Sequence, residues 1–230
     1  MGKLQNKVRL IWSSNFAYAI GLIASDGCLN SDQRHIWFSS AEEEMMLNYK
    51  KALELSNNIG RYARGGEKEK RYYCLTFGDK NFYQFLNRIG ITSAKSKTIK
   101  SVCIPDEYFS DFLRGLFDGD GTFYTFQDKR WPNSHGYQIS FASASRDFVT
   151  WLQGRLSNLY SVKGFLHRGV GVWDIRYVKG DSIKLYLAMY NKNGAQRILF
   201  LRRKYDKITR VFSEDNLFKK LTTNAVVAQW

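Results

Sequence analysis

The sequence predicts an α+β protein of two like halves. Each half runs α-β-β-α-β-β-α around its own antiparallel sheet, and two parallel helices pack at the seam. Three observations carry this. A short apolar segment with a central Gly and a terminal Asp-Gly occurs twice, as Ala19-Ile20-Gly21-Leu22-Ile23-Ala24-Ser25-Asp26-Gly27 and as Leu113-Arg114-Gly115-Leu116-Phe117-Asp118-Gly119-Asp120-Gly121. The two Asp-Gly pairs stand 94 positions apart, and the order of helix-like and strand-like segments restarts between them. A repeat of about a hundred residues is too long for a solenoid and right for a duplicated domain. Finally, 230 residues with 44% hydrophobic content and only two prolines describe a folded chain, not a disordered one.

In chain order, residues 1–14 form an N-terminal extension and 15–90 the N-terminal half. Phe16 to Ser25 is apolar nearly all round, as in a buried helix, with Ser14 or Asn15 placed to cap it and Gly27 to end it. Cys28 to Asp32 and His35 to Ser39 are short strands across a polar turn. Ser40-Ala41-Glu42-Glu43 has capping-box spacing and starts a helix that runs to about Leu55. Ile59 to Arg64 and Tyr72 to Phe77 form a second hairpin around Gly65-Gly66, and Asn81 to Ile89 a helix stopped by Gly90. A basic linker, 91–106, carries Lys95, Lys97 and Lys100.

The pattern then repeats over the C-terminal half, 107–212. Glu107 to Gly119 is the second buried helix, behind Pro105. Thr122 to Gln127 and Tyr137 to Phe141 form a hairpin around the polar loop Asp128 to Gly136. Asp147 to Tyr160 is helical. Val162 to Arg168 and Val172 to Val178 form another hairpin, and Asp181 to Tyr190 and Leu199 to Phe212 are helices. A tail, 213–230, remains.

Charge points to the partner. Thirty-five basic against 21 acidic residues leave a net charge of +14, the balance of a chain that meets a polyanion rather than one merely kept soluble. Aromatics sit beside cations at Arg61-Tyr62, Lys70-Arg71-Tyr72-Tyr73, Arg130-Trp131 and Arg176-Tyr177, which suits groove contact and ordinary strand packing equally. Strand alternation separates the two faces of each sheet. Tyr137, Ile139 and Phe141 form an apolar side and Gln138 and Ser140 the other; Asp174 and Arg176, and Lys70, Tyr72, Cys74 and Thr76, mark the polar side elsewhere. Helices cover one face of each sheet. The other is left for solvent or for a major groove, where Arg, Gln, Asn and Ser reach base edges.

Cys28, Cys74 and Cys103 are isolated and odd in number, which argues against zinc and for an intracellular reducing compartment, whether cytoplasm, nucleoid or organelle matrix. His35, His135 and His167 form no ligand cluster. No run of 18 apolar residues exists, and residues 1–12 mix charges into any apolar stretch, so neither a membrane span nor a secretory signal is expected.

The chemistry is expected at the two helix ends. Gly21 and Ser25, and Gly115 and Gly119, are each four apart and share a helix face, where small side chains allow backbones to approach. Side-by-side parallel packing would bring Asp26 and Asp120 together at two helix C-termini, where the dipole favours a cation. Oxygen-only ligation suits Mg²⁺, which keeps waters and bridges to phosphate.

On these residues the chain resembles the LAGLIDADG homing endonuclease family in its single-chain, two-motif form, over about residues 15–212. The second motif is the closer match; Ala19 and Ala24 stand where it has Leu113 and Asp118. The resemblance implies saddle-forming sheets and a monomer with internal pseudo-twofold symmetry. It implies a double-strand cut in a long asymmetric DNA site that leaves 3′ overhangs. It implies metal held by Asp26 and Asp120 with Ser25 and Gly119, the ion being Mg²⁺ with Mn²⁺ or Ca²⁺ able to take its place. Lys95 and Lys204 take the place of the family's catalytic lysines, with Lys97 competing with Lys95. Ser39 fits the water-orienting position at the end of the second strand, but its counterpart is Ala142. The residues expected against DNA are Asn30, His35, Trp37, Ser39, Arg64, Lys70, Tyr72, Thr76, Tyr124, Arg130, Gln138, Ser140, Asp174 and Arg176. Two alternatives stand beside this: an RNA maturase that assists its own group I intron, or a DNA-binding protein of the same fold without catalysis. A third, a basic structural protein, requires Asp26 and Asp120 to lie far apart.

Overall fold

A computed structural model of the chain describes residues 6–127, 129, 135–191 and 198–227. The first half comprises α1 (Ser14–Asp26), β1 (Gly27–Leu29), β2 (His35–Ser40), α2 (Glu43–Ala52), β3 (Gly60–Tyr62), β4 (Tyr72–Gly78) and α3 (Lys80–Arg88). A short helix α4 (Lys95–Thr98) and a 3₁₀ turn at Asp106–Tyr108 lead into the second half. That half comprises α5 (Phe109–Asp120), β5 (Gly121–Gln127), β6 (His135–Ser143), α6 (Arg146–Tyr160), β7 (Phe165–Arg168), β8 (Trp173–Val178) and α7 (Gly180–Tyr190). Then come α8 (Arg202–Glu214) and α9 (Asn216–Val227), so the segment expected as a tail contains a helix, which packs against α7 and α8. No helix among the described residues is long and apolar enough to cross a membrane.

The sheets are antiparallel and ordered β1-β2-β4-β3 and β5-β6-β8-β7. Their registers correspond: Gly27 faces Phe38, and Gly121 faces Phe141. This is the duplicated mixed α/β architecture read from the sequence.

Local differences have local causes. The cap of α1 is Ser13, whose hydroxyl accepts the Phe16 N–H at 3.1 Å, one residue ahead of the expected Ser14 or Asn15. The Ser40–Glu43 capping box does not form. Ser40 stays paired with Tyr73 as the last residue of β2, and its hydroxyl accepts the Glu42 N–H at 3.0 Å, so α2 begins after Glu42 without a side-chain cap. β1 stops at Leu29 because Asp32 takes the N–H groups of Arg34 and His35 and turns the chain. Arg64 and Lys70 fall in the β3–β4 connection rather than on strands.

The seam is where backbones touch. A Cβ on Gly21 would stand 2.2 Å from the Phe112 carbonyl oxygen, and one on Gly115 would stand 2.0 Å from that of Tyr18. The α1–α5 contact is therefore main chain against main chain, and only glycine permits it. Every residue of α1 from Phe16 to Ala24 is buried.

Two buried polar groups fasten this seam to the later chain. Asp118 accepts the Tyr18 hydroxyl from α1 at 2.7 Å and the Leu201 N–H at 2.7 Å. Burial pushes its carboxyl up to about 6, against the pull of those two bonds. Arg114 donates to the carbonyls of Leu199 and Met189 and to Asp111. Tyr18→Phe removes one donor from a carboxylate that water does not reach, and should cost about 1–3 kcal/mol in a denaturant titration.

Candidate active site

Helices α1 and α5 end abruptly. Gly27 and Gly121 leave the helix in extended conformation (φ −74° at both), and their N–H groups bond back to the carbonyls of Ile23 and Phe117. A Cβ on either glycine would lie within 2.7 Å of the Cα of Ile23 or Phe117, so the turn into the strand needs glycine for space. Asp26 and Asp120 are consequently the last helical residues at two adjacent C-termini. The fit is close: a Cβ on Gly119 would stand 2.0 Å from Ser25 Oγ and 2.6 Å from Asp26 Oδ2.

Both carboxylates keep solvent-exposed tips in a crowded depression. Crowding raises both, and the Asp120 charge adds to the rise at Asp26, which reaches about 6 against the opposing pull of Lys95 and Lys204. The two acids thus meet in surroundings that disfavour their charge despite the two lysines, a condition that a bound cation relieves.

Two lysines flank the acids by the same pseudo-symmetry. Lys95, buried at the start of α4, donates to the Ser25 carbonyl at 2.9 Å. Lys204, in the first turn of α8, donates to the carbonyls of Phe117, Gly119 and Gly121 at 2.7, 3.0 and 2.7 Å. Each ammonium caps the negative end of one motif helix. Burial lowers both, Lys204 to about 8, while the neighbouring carboxylates resist. Lys97 is exposed, so Lys95 rather than Lys97 points to the seam.

Lys204 arrives there because the chain before it is threaded between the halves. Besides the Arg114 and Asp118 bonds, Asn48 of α2 donates to the Phe200 carbonyl at 2.8 Å, Glu44 accepts the Arg202 N–H at 3.0 Å, and Arg203 pairs with Glu42.

Cross-strand register places Trp37, Ser39, Tyr72 and Thr76 on one open face, with Cys28 and Tyr62, and Tyr124, Gln138, Ser140, Asp174 and Arg176 on the other, with Thr122, Phe165 and His167. Several expected contacts are otherwise engaged. Gln138 and Ser140, on the second strand of their sheet, are buried, and so is Ser39, which accepts the Tyr62 hydroxyl at 3.1 Å. Arg176 is committed to Asp174 at 2.7 Å and to His167 at 2.9 Å. His35 pairs with Asp32 in the β1–β2 turn, and Asn30 is half-buried there, its carbonyl taking the Tyr83 hydroxyl. Lys70 is exposed beyond the start of β4. Arg64 donates to the Tyr62 hydroxyl at 3.1 Å and lies 4.3 Å over the Tyr72 ring. Arg130 lies outside the described residues. Tyr62, Phe165 and His167 were not anticipated; period-two alternation from Tyr72 and Asp174 would have found them only once register was known.

The two centres differ beside the acids. Ser39 faces Cys74, whereas its counterpart Ala142 faces Asp174. Among the described residues no three carboxylate, imidazole or thiol groups converge, so a metal here would rest on the two aspartates, main-chain carbonyls and water.

A family model described as LAGLIDADG-like domain matches residues 13–90 and 107–191. Among solved structures, the chain is similar to full-length DUF199/WhiA from Thermatoga maritima (18% identity, TM-score 0.55, covering 96% of this chain and 68% of that one). It is similar to the I-LtrWI LAGLIDADG homing endonuclease bound to target DNA (9% identity, TM-score 0.55, 91% of each chain). It is also similar to I-DmoI in complex with DNA and Ca (17% identity, TM-score 0.51, 78% of this chain and 91% of that one). At such identities the likeness is one of fold. No curated protein matches the chain.

Proposed function

The chain belongs to the LAGLIDADG-like domain family, and we propose that within it this protein is a metal-dependent, site-specific DNA endonuclease that cuts both strands of a long asymmetric duplex and leaves 3′ overhangs. The observation that carries this reading is the meeting of Asp26 and Asp120 at the ends of two touching helices, each flanked by a lysine that caps a motif helix, Lys95 buried and Lys204 half-buried.

The donor set fits a hard divalent ion. Two carboxylates, with Asp26 raised by burial and further by the Asp120 charge, set beside the carbonyls of Ser25 and Gly119, offer oxygen only. Mg²⁺ is the expected ion, with Mn²⁺ or Ca²⁺ able to occupy the same place. Bound there, a divalent cation supplies a lowered water pKa and charge at the departing oxygen. The chain's own groups do the rest. The two aspartates set where the charge sits. Lys95 and Lys204, fixed by carbonyl bonds, hold positive charge at the edge of each centre, where it offsets the developing phosphorane charge. The open sheet faces and the +14 charge align the duplex.

Two predictions follow the roles. Lys95→Met should lower cleavage about 10²-fold while duplex affinity stays within about threefold, because one preorganised charge is lost from the reaction and not from groove contact. For the function itself, full-length protein incubated with a duplex library and Mg²⁺ should yield double-strand breaks with 3′ extensions, abolished by chelator. Tight, specific duplex binding without cutting under Mg²⁺ or Mn²⁺ would replace the endonuclease by a DNA-binding protein.

A further inference from the structure

Large apolar side chains exposed on the open sheet faces belong to the second half. Tyr124, Phe126, Phe165 and Val178 all exceed a third exposed, Phe165 reaching 57%, whereas no residue of the first sheet is among the exposed large hydrophobics. They share one face. Tyr124, Gln138 and Val178 stand in one cross-strand row, and Phe165 faces Arg176 in the next. Phe126 lies flat over Gly136, where a Cβ would come within 2.4 Å of its ring. Basic residues punctuate the strand ends and connections around this floor: Lys129 between β5 and β6, Lys163 before β7 and Arg168 at its end, all exposed. Hydrocarbon in the middle with cations at the rim complements a duplex groove between phosphate strands.

Hydrogen-bond readout on this face is curtailed. Arg176 is held by Asp174 and His167. Within the row, Gln138 is 5% exposed and its Nε2 is buried out of reach of a base edge. Its cross-strand neighbours Tyr124 and Val178 are exposed, so what the row presents is hydrocarbon. In the major groove only thymine carries a methyl group, at C5.

We propose that this row reads thymine: Val178 and Tyr124 receive the 5-methyl, and Phe126 and Phe165 extend an apolar floor that favours a thymine-rich half-site. The inference deepens the proposed function by naming what the second sheet recognises, and it rests on that reading only for duplex DNA as the ligand.

The test is a binding measurement. Duplexes selected from a random library by the full-length protein, with Ca²⁺ in place of Mg²⁺, are resynthesised with deoxyuridine for thymidine in one half-site at a time, which deletes only the methyl groups. The expected result is a loss of about fourfold per contacted thymine in one half and none in the other. Val178→Ser, at an exposed strand end, should remove most of that penalty, assigning the sensitive half to the second sheet. Tight specific binding that ignores the methyl groups, or that loses equally in both halves, or a penalty that Val178→Ser leaves intact, overturns thymine reading while the DNA-binding function stands. Absence of specific duplex binding overturns both.

Discussion

Asp26→Asn or Asp120→Asn is expected to abolish cleavage, by about 10³-fold or more, and at the same time to leave the metal-free protein slightly more stable. The first effect follows from the loss of one of two charged ligands at a site where metal-held charge is worth several kcal/mol to phosphodiester hydrolysis. The second follows from the electrostatics of the empty pair. Asp26 titrates near 6 in the fold because crowding and the Asp120 charge disfavour its ionised form. A carboxyl raised above its unfolded value lends stability at low pH, fully present below about 4 and lost as pH rises through about 6. At neutral pH the ionised pair therefore strains the seam. Since both tips are open to solvent, the net strain at Asp26 is roughly 1 kcal/mol after screening. Asn at position 26 relieves it, and a melting curve without divalent ions should rise by about 2–4 °C at pH 7 and not at pH 4. Mg²⁺ or Ca²⁺ should raise the melting temperature of the unaltered chain and not that of either amide variant. A basic protein with no site at this seam would show neither the loss of cutting nor the ion-dependent shift.

Gly115→Ala is the second large effect, and it sets two terms against each other. Helix propensity alone favours alanine by about 1 kcal/mol. The added Cβ would stand 2.0 Å from the Tyr18 carbonyl oxygen and 3.1 Å from the Leu22 nitrogen, and neither backbone atom can rotate away. Forcing α1 and α5 apart should cost about 3 kcal/mol or more. The clash wins by about 2 kcal/mol, a fall in melting temperature of roughly 4–8 °C. Cleavage should fall further than stability, because parting the helices parts Asp26 from Asp120 at their ends. Gly154→Ala provides the contrast. That glycine lies in α6 with nothing within 4 Å of its Cβ position, so the propensity term stands alone and the variant should be more stable. Equal behaviour of the two variants in denaturant would contradict the close packing described for the seam.

Where an interaction is local or repeats, the sequence carried it. The all-round apolar character of Phe16 to Ser25, the four-residue spacing of small residues on the motif helices (Gly21 and Ser25, Gly115 and Gly119) and the duplicated Asp-Gly ends were each legible, because helical periodicity and the steric demand of a helix-to-strand turn act within a few residues. Capping was less so: Ser40 has the right spacing to cap α2, but strand pairing with Tyr73 claims it first. The groove residues divide on the same ground. Tyr124 and Thr76 are exposed on the open faces as alternation suggests, whereas Gln138 and Ser140 alternate equally well and are buried, since neighbouring strands close over the second strand of the sheet.

What the sequence determined by itself is a doubled α+β chain with an acid closing each of two buried helices, and a charge suited to a polyanion. Those properties are written into residue order, and no distant contact is needed to produce them. The tertiary structure alone decided which lysines reach the seam, that Arg176 is bound to Asp174 and His167 rather than free for a base, and that Gln138 is buried within its sheet. Each depends on residues far apart in the chain meeting at one point. Lys204 is the plainest case: it lies 83 positions beyond the Gly121 carbonyl it caps, and it gets there because Arg114, Asp118 and Asn48 bind the main chain just before it.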